Sequence, residues 1–204
     1  MEEVLSRTAH ILRQGGVVAI PTETYYGLAA DPFCEEALKK IFVLKQRPLK
    51  KPLLTIINDN SQLQLLVAEI PLPFHNLMTS FWPGPLTLIF PARPSLSSLL
   101  TAGTGTIGVR LSSHPIAREL LRSFGGPLTA TSANISGQPP AVSVLDLVVQ
   151  FGQKLDGLID GGTLPGACGS TIVGYDGRDI TFVRAGVIPS DRIRGALHTE
   201  AGKP

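Results

Sequence analysis

Short apolar runs typical of buried strands alternate with helical stretches along almost the whole chain, and this alternation limits the possible folds most strongly. The run Val17–Ile20 follows an amphipathic N-terminal stretch, and a helical pattern over Glu35–Lys45 comes next. Strand-like runs near the C-terminus succeed one another without a helix between them. The pattern therefore predicts an α/β fold with a twisted, mixed parallel and antiparallel sheet and flanking helices.

The boundaries of the other elements follow from apolar spacing and from proline and glycine. Val4, Leu5, Ile11 and Leu12 form the stripe of an N-terminal helix, which Gly15 and Gly16 end. The other predicted helices are Ser61–Glu69, Phe74–Phe81, Pro115–Ser123, Val144–Phe151 and Ser190–Leu197. The other predicted strands are Leu53–Ile57, Leu86–Phe90, Thr106–Leu111, Leu128–Ser132, Gly157–Asp160, Thr171–Tyr175 and Ile180–Val183.

Composition and charge narrow the classes of protein. Hydrophobic residues make up 43% of the 204 residues, which is enough for a core, and no linker or repeat divides the chain. We expect one domain over residues 1–204. The formal net charge of +2 restricts any nucleic-acid surface to a local patch. No signal peptide and no apolar run near 20 residues is visible, which predicts a cytoplasmic protein without membrane contact.

Small polar residues end two predicted strands and begin a third. Thr22-Glu23-Thr24 follows the first strand, Ser132-Ala133-Asn134 ends another, and Gly169-Ser170 precedes Thr171. Ligands gather at strand ends in α/β sheets, so these segments are candidates for a binding site. Ser, Thr and Asn also favour turns, and turn formation remains the alternative.

Cations lie near the same elements. Pro48 disfavours helical geometry at Arg47, so the second helix should end near Gln46 and let Lys45 and Arg47 reach one target, such as a polyphosphate. The alternative is a favourable interaction of cations with the helix C-terminus. Arg110 and Arg184 each end an apolar strand, which predicts either an anionic ligand or a structural ion pair.

Several familiar signatures are missing from the sequence. There is no P-loop and no GxSxG nucleophile elbow. The two cysteines, Cys34 and Cys168, lack the spacing of zinc ligands. None of the four histidines is assigned to catalysis: His10, His75, His114 and His198. The sequence therefore predicts no protein-bound metal.

Five segments together resemble the YrdC/Sua5 family in its short, single-domain form. They read GGVVAIPTETYYGLAAD, KIFVLKQRPLKKPL, FWPGPLTLIF, TIGVRLSSHPIARELL and PLTATSANISGQP. The resemblance implies a YrdC-like fold with a large concave, basic cavity. It also implies an L-threonylcarbamoyladenylate synthase, an adenylate-forming nucleotidyltransferase that converts L-threonine, bicarbonate or CO2, and ATP into threonylcarbamoyl-AMP and pyrophosphate. A separate tRNA-modifying transferase complex then uses that product to make threonylcarbamoyladenosine.

The resemblance also implies roles for individual residues. Catalysis is expected of Lys45 and Arg47, and threonine binding of Thr22, Arg110 and Ser170. Nucleotide binding is expected of Lys45, Arg47, Thr106, Ser132, Asn134 and Arg184. Magnesium would be bound mainly by the triphosphate of ATP, with Glu23 and Asp31 as the carboxylates considered for additional contacts. Thr55 lies at or near a position where many members carry a histidine.

Two other functions remain open on the sequence alone. One is a module that binds tRNA or double-stranded RNA, against which the low net charge argues. The other is a paralogue that makes a different acyl or carbamoyl adenylate, which the threonine at position 55 keeps open.

Overall fold

The computed structural model describes residues 1–166 and 168–197, and its elements alternate as the sequence predicts. The first half contains α1 (Glu2–Arg13), β1 (Val18–Pro21), β2 (Tyr26–Ala29), α2 (Glu35–Lys45), β3 (Thr55–Ile57), α3 (Leu63–Leu66), α4 (Leu72–Phe81), β4 (Leu86–Pro91) and α5 (Ser98–Thr101). The second half contains β5 (Thr106–Leu111), α6 (Pro115–Phe124), β6 (Leu128–Thr129), β7 (Thr131–Ser132), α7 (Val144–Phe151), β8 (Gly157–Leu158), β9 (Thr171–Tyr175), β10 (Ile180–Arg184) and α8 (Ser190–Leu197). His198 lies outside the described residues.

The described strands form two mixed sheets. The smaller sheet has the order β7-β2-β1-β8, in which β1 pairs antiparallel with β2 and parallel with β8. The larger sheet has the order β10-β9-β4-β5-β3-β6, in which β5 pairs antiparallel with β4 and parallel with β3. The predicted mixed α/β fold with flanking helices is confirmed, with the strands divided between two sheets.

The segment Leu128–Ser132, predicted as one strand, joins the two sheets. Leu128 and Thr129 pair with β3 in the larger sheet, whereas Thr131 and Ser132 pair with β2 in the smaller one. Between them, the amide of Ala130 donates to the carbonyl oxygen of Leu54 at 2.8 Å. The chain changes sheets at Ala130, so each half keeps its backbone hydrogen bonds.

The sequence predicts no strand between Val17–Ile20 and Glu35–Lys45, but the structure contains β2 there. Gly27 lies inside β2, which pairs with β1 as a hairpin, and Thr22 to Tyr25 form the hairpin loop. All four residues of β2 are buried. The strand has too few residues for its alternation to show in the sequence, and its central glycine resembles a turn signal.

Smaller differences concern element ends. The predicted helix Ser61–Glu69 is a one-turn 3-10 helix, Asn60–Gln62, followed by α3. The predicted strands Leu53–Ile57 and Gly157–Asp160 shorten to β3 and β8. The helix α5 was not predicted; it has only four residues.

Helices pack against both sheets, and the buried apolar side chains form two clusters. Leu5 and Leu12 of α1 pack with Leu120 and Leu121 of α6 beside the smaller sheet. A larger cluster gathers around the larger sheet, where the Phe74 and Phe90 rings meet edge to face at 5.1 Å. Among residues 1–166 and 168–197, no helix has both the length and the apolar character to cross a bilayer.

Candidate active site

A cavity of about 520 Å³ is lined by residues from both sheets. This volume is within the ordinary range of small-molecule sites. Four basic side chains contribute to the lining, and no aspartate or glutamate does among the described residues. The basic residues are Arg47, Lys51, Arg110 and Arg184. An anionic ligand would therefore meet a net positive charge on the cavity surface.

The loop of the β1–β2 hairpin forms one edge of the cavity. The Thr22 hydroxyl donates to the carbonyl oxygen of Tyr25 at 2.7 Å and accepts from the Thr24 amide at 3.3 Å. These local bonds hold the four-residue loop, so turn formation accounts for part of the Thr22-Glu23-Thr24 signal. Thr22 and Thr24 also line the cavity. The segment therefore forms a turn and also contributes to the cavity.

Lys45 lies behind the cavity lining rather than in it. Helix α2 ends at Lys45, and Gln46 has φ +47°, so the helix stops where Pro48 predicted. Lys45 is 2% exposed, and its ammonium donates to the main-chain oxygens of Ser132 and Asn134 and to Asn134 Oδ1. Burial, reinforced by the charge of Arg47, lowers the pKa of Lys45 to about 7.

Arg47 and Ser132 line the cavity, whereas Lys45 and Asn134 lie behind the lining residues. Arg47 Nη1 donates to Thr131 Oγ1 at 3.1 Å, and Nη2 donates to the carbonyl oxygen of Pro52 at 2.7 Å. Ser132 Oγ donates to Asn134 Oδ1 at 2.6 Å. The two cations thus hold the same segment but reach it at different points, instead of meeting one target directly.

Arg110 has a carboxylate partner, Glu23, in the hairpin loop. Arg110 Nη1 lies 3.2 Å from Glu23 Oε1, and the two side chains are 7% and 12% exposed. The same nitrogen donates to Thr24 Oγ1 at 3.3 Å. The ion-pair alternative therefore describes Arg110, although the guanidinium also lines the cavity.

Arg184 has no carboxylate partner among the described residues. Its Nη2 donates to the main-chain oxygen and the hydroxyl of Ser170, at 2.7 and 3.0 Å. Burial, followed by the positive charge of Arg110, lowers the pKa of Arg184. A desolvated cation beside a second cation is stabilised by an anion. Arg184 is therefore a cation of the cavity that an anionic ligand would stabilise.

Some polar residues at the site were not assigned from the sequence. Thr24 contacts Arg110, and Thr87 Oγ1 lies 2.8 Å from Ser170 Oγ. Tyr26, buried in β2, donates to the carbonyl oxygen of Gly162 at 2.8 Å and holds the loop after β8. Thr24 belongs to a segment that the sequence indicated, whereas Thr87 and Tyr26 lie inside β4 and β2 and carry no signal for a site, because strands favour Thr and Tyr generally.

The remaining candidates differ in their position. Thr106 lines the cavity, with Oγ1 2.9 Å from Thr104 Oγ1. Thr55 also lines it, but its hydroxyl donates to the carbonyl oxygen of Gly108 at 3.0 Å. Glu23 and Asp31 are not part of the lining. Across residues 1–166 and 168–197, no group of three or more His, Cys, Asp or Glu side chains could hold a metal ion.

Comparisons with known sequences find relatives over most of the chain. The Sua5/YciO/YrdC family model, described as telomere recombination, matches residues 10–186. The threonylcarbamoyl-AMP synthase of Bacillus subtilis is 38% identical over 202 residues, which cover 97% of this chain and 58% of that protein. The threonylcarbamoyl-AMP synthase of Idiomarina loihiensis is 43% identical over 157 residues, which cover 76% of this chain and 84% of that protein.

A solved structure shows the same fold. The crystal structure of Pyrococcus abyssi Sua5 complexed with L-threonine superimposes with a TM-score of 0.94 at 36% identity. The match covers 97% of this chain and 58% of that one, so the chain spans little more than half the length of several relatives. The family model alone covers most of the chain. The chain therefore belongs to the Sua5/YciO/YrdC family.

Proposed function

We propose that this chain is an L-threonylcarbamoyladenylate synthase, which makes threonylcarbamoyl-AMP and pyrophosphate from L-threonine, bicarbonate or CO2, and ATP. The observation that carries the proposal is a single cavity lined by Arg47 and Ser132 and by Arg110, Ser170 and Arg184. Relatives named threonylcarbamoyl-AMP synthase and a relative crystallised with L-threonine support the choice of substrates.

The amino acid binds at the part of the cavity formed by Thr22, Arg110 and Ser170. Arg110 receives the carboxylate of threonine, because a guanidinium offers five N–H donors in a geometry that matches a carboxylate. Ser170 is fixed by Thr87 and Arg184, so its hydroxyl is preorganised for the substrate. Arg184 contacts the nucleotide and contributes the charge that no described carboxylate neutralises.

The nucleotide binds at Arg47, Ser132 and Thr106, all of which line the cavity. Lys45 and Asn134 act on the nucleotide through the segment that they hold, since neither reaches the lining. Magnesium enters as part of the MgATP substrate. Glu23 is engaged by Arg110, and Asp31 Oδ1 accepts from the Phe33 amide at 2.9 Å, so we assign neither to the metal.

The chemistry needs positioning and charge stabilisation rather than a covalent nucleophile. The threonine amine and CO2 form a carbamate, and a carbamate oxygen attacks the α-phosphorus of ATP. The P–O bond to the pyrophosphate leaving group breaks, and threonylcarbamoyl-AMP and pyrophosphate result. Negative charge grows on the phosphate oxygens, which Arg47 stabilises electrostatically. Holding three substrates together in a reactive geometry contributes up to about 7–11 kcal/mol.

The proposal also covers the use of the product, its location and the domain that makes it. The product is consumed by a separate tRNA-modifying transferase complex in the cytoplasm. The chain acts as one domain over residues 1–204, and its cavity is the large basic cavity implied by the family resemblance.

The test is pyrophosphate release from ATP and bicarbonate, with each of the twenty amino acids supplied in turn and the adenylate detected by mass spectrometry. We expect release with threonine only, together with the mass of threonylcarbamoyl-AMP. Pyrophosphate release with a different amino acid would identify that amino acid, instead of threonine, as the substrate. Absence of release, in a protein that binds tRNA with salt-dependent affinity, would favour the RNA-binding alternative.

A further inference from the structure

The carboxylate of Glu23 connects the two sheets at the edge of the cavity. Glu23 lies in the loop between β1 and β2 of the smaller sheet, and its partners come from β5 and the residue after it in the larger sheet. Oε1 meets Arg110 Nη1 at 3.2 Å, and Oε2 accepts from Ser112 Oγ at 2.6 Å. Ser112 is fully buried and also accepts from the His114 amide at 3.3 Å.

Glu23 itself does not line the cavity, whereas Arg110 does. Both polar contacts described for the Arg110 guanidinium use Nη1: one to Glu23 and one to Thr24 Oγ1. A guanidinium carries donors on three nitrogens, so Nη2 and Nε keep their capacity for a ligand. Glu23 therefore holds Arg110 from one side without occupying the groups that a substrate carboxylate would use.

We propose that Glu23 is a positioning residue, which Ser112 holds in place and which fixes Arg110 for the carboxylate of the amino-acid substrate. This inference rests on the proposed function, because it assumes that Arg110 binds the amino acid. It replaces the magnesium contact considered for Glu23 on the sequence. A long arginine side chain loses much rotamer freedom when it binds, and an ion pair formed beforehand reduces that cost.

Binding of L-threonine to the purified chain, measured by isothermal titration calorimetry, tests the role of Glu23. Glu23→Ala should weaken threonine binding by about 30-fold, at the lower end of the effect of removing one partner from a buried charge pair. The KM for ATP should change by less than about twofold, since a positioning effect confined to Arg110 spares the nucleotide. Glu23→Gln keeps the shape and the contact with Ser112 but removes the charge that attracts Arg110, so it should restore only part of the affinity.

Two further variants separate positioning from general damage. Ser112→Ala should weaken threonine binding in the same direction, and adding it to Glu23→Ala should have little further effect, because Ser112 acts through Glu23. Glu119→Ala removes an exposed glutamate that pairs with Arg122 on α6, and it should leave threonine binding unchanged.

The outcomes distinguish this inference from the proposed function. If the wild-type chain neither binds threonine nor forms product, the proposed function fails and the role of Glu23 fails with it. If the wild type binds threonine but folded Glu23→Ala binds it equally well, only the positioning role is wrong. If Glu23→Ala does not fold, unchanged threonine affinity in Ser112→Ala contradicts the inference. Equal losses toward ATP and threonine would make Glu23 a purely structural residue.

Discussion

Replacing Lys45 by methionine is the most informative perturbation of the segment Ser132–Asn134, which lies at the proposed nucleotide side of the cavity. Methionine has a similar length and no polar donor, so the substitution removes the ammonium and keeps most of the volume. Three buried oxygens lose their donor: the main-chain oxygens of Ser132 and Asn134 and the Asn134 side-chain oxygen. Asn134 Oδ1 keeps the hydrogen bond from Ser132 Oγ.

Two opposing free-energy terms decide the size of the effect. The fall in the Lys45 pKa from 10.5 to about 7 corresponds to roughly 5 kcal/mol against the charged form. Against that cost, the methionine variant leaves three oxygens without the Lys45 donor, at about 1–3 kcal/mol each. The difference leaves lysine favoured by roughly 1 kcal/mol at pH 6. Lys45→Met should therefore lower the free energy of unfolding by about that amount at pH 6.

The effect should grow with pH. The pKa of Lys45 is lower in the folded chain than in the unfolded chain, so the cost of the buried charge is fully present below pH 7. Between pH 7 and about pH 10.5 the unfolded chain binds more protons, and the stability of the wild type rises with pH. The methionine variant lacks this gain. The difference between the two should widen by up to about 1.4 kcal/mol per pH unit above pH 7.

Urea unfolding of both proteins at pH 6, 7, 8 and 9 measures this difference directly, and the other titrating groups cancel because they are common to both. A difference that stays constant from pH 6 to pH 9 would refute the reasoning. It would mean that the three oxygens keep the ammonium charged and that burial does not lower its pKa.

The other predictions concern the cavity and its supports. Arg47→Ala should abolish ATP-dependent pyrophosphate release while circular dichroism shows an intact fold; unchanged turnover would remove Arg47 from the phosphate site. Arg110→Ala should raise the KM for threonine by about 30-fold or more and the KM for ATP far less; steady-state kinetics that show equal increases would make Arg110 structural. Tyr26→Phe should lower the free energy of unfolding by about 1–2 kcal/mol in denaturant titrations, because its hydroxyl bonds Gly161 and Gly162. An unchanged midpoint would show that those bonds contribute nothing.

Local signals in the sequence predicted much of the fold. The end of α2 depends on Pro48, whose ring excludes the helical conformation of the preceding residue, and the structure confirms it at Gln46. The helices α6 and α7 and the strands β4, β5, β9 and β10 lie close to their predicted bounds, because their apolar patterns are clear. The strand β2 was missed, since four residues with a central glycine do not establish a pattern.

The structure brings several of the candidate site residues to one cavity, but their roles there stay a prediction. Arg47, Arg110, Ser170 and Arg184 line one cavity, as residues at strand and helix ends were expected to do. The sequence could not show that Lys45 lies beneath that lining. The end of a helix fixes the backbone position of a residue, but the direction of its side chain depends on the residues that pack against it. Here the partners of Lys45 are the oxygens of a segment 87 to 89 positions away.

The sequence by itself determined the alternation of strands and helices, the positions of most of them and the membership in the family, because these depend on short-range patterns and ordered motifs. Only the tertiary structure decided that Leu128–Ser132 divides between two sheets, that Glu23 pairs with Arg110 and that Lys45 is buried. Each of these depends on residues far apart in the chain, such as Glu23 and Ser112, separated by 89 positions. Contacts of this kind arise when the sheets pack together, and the conformational preferences of neighbouring residues do not encode them.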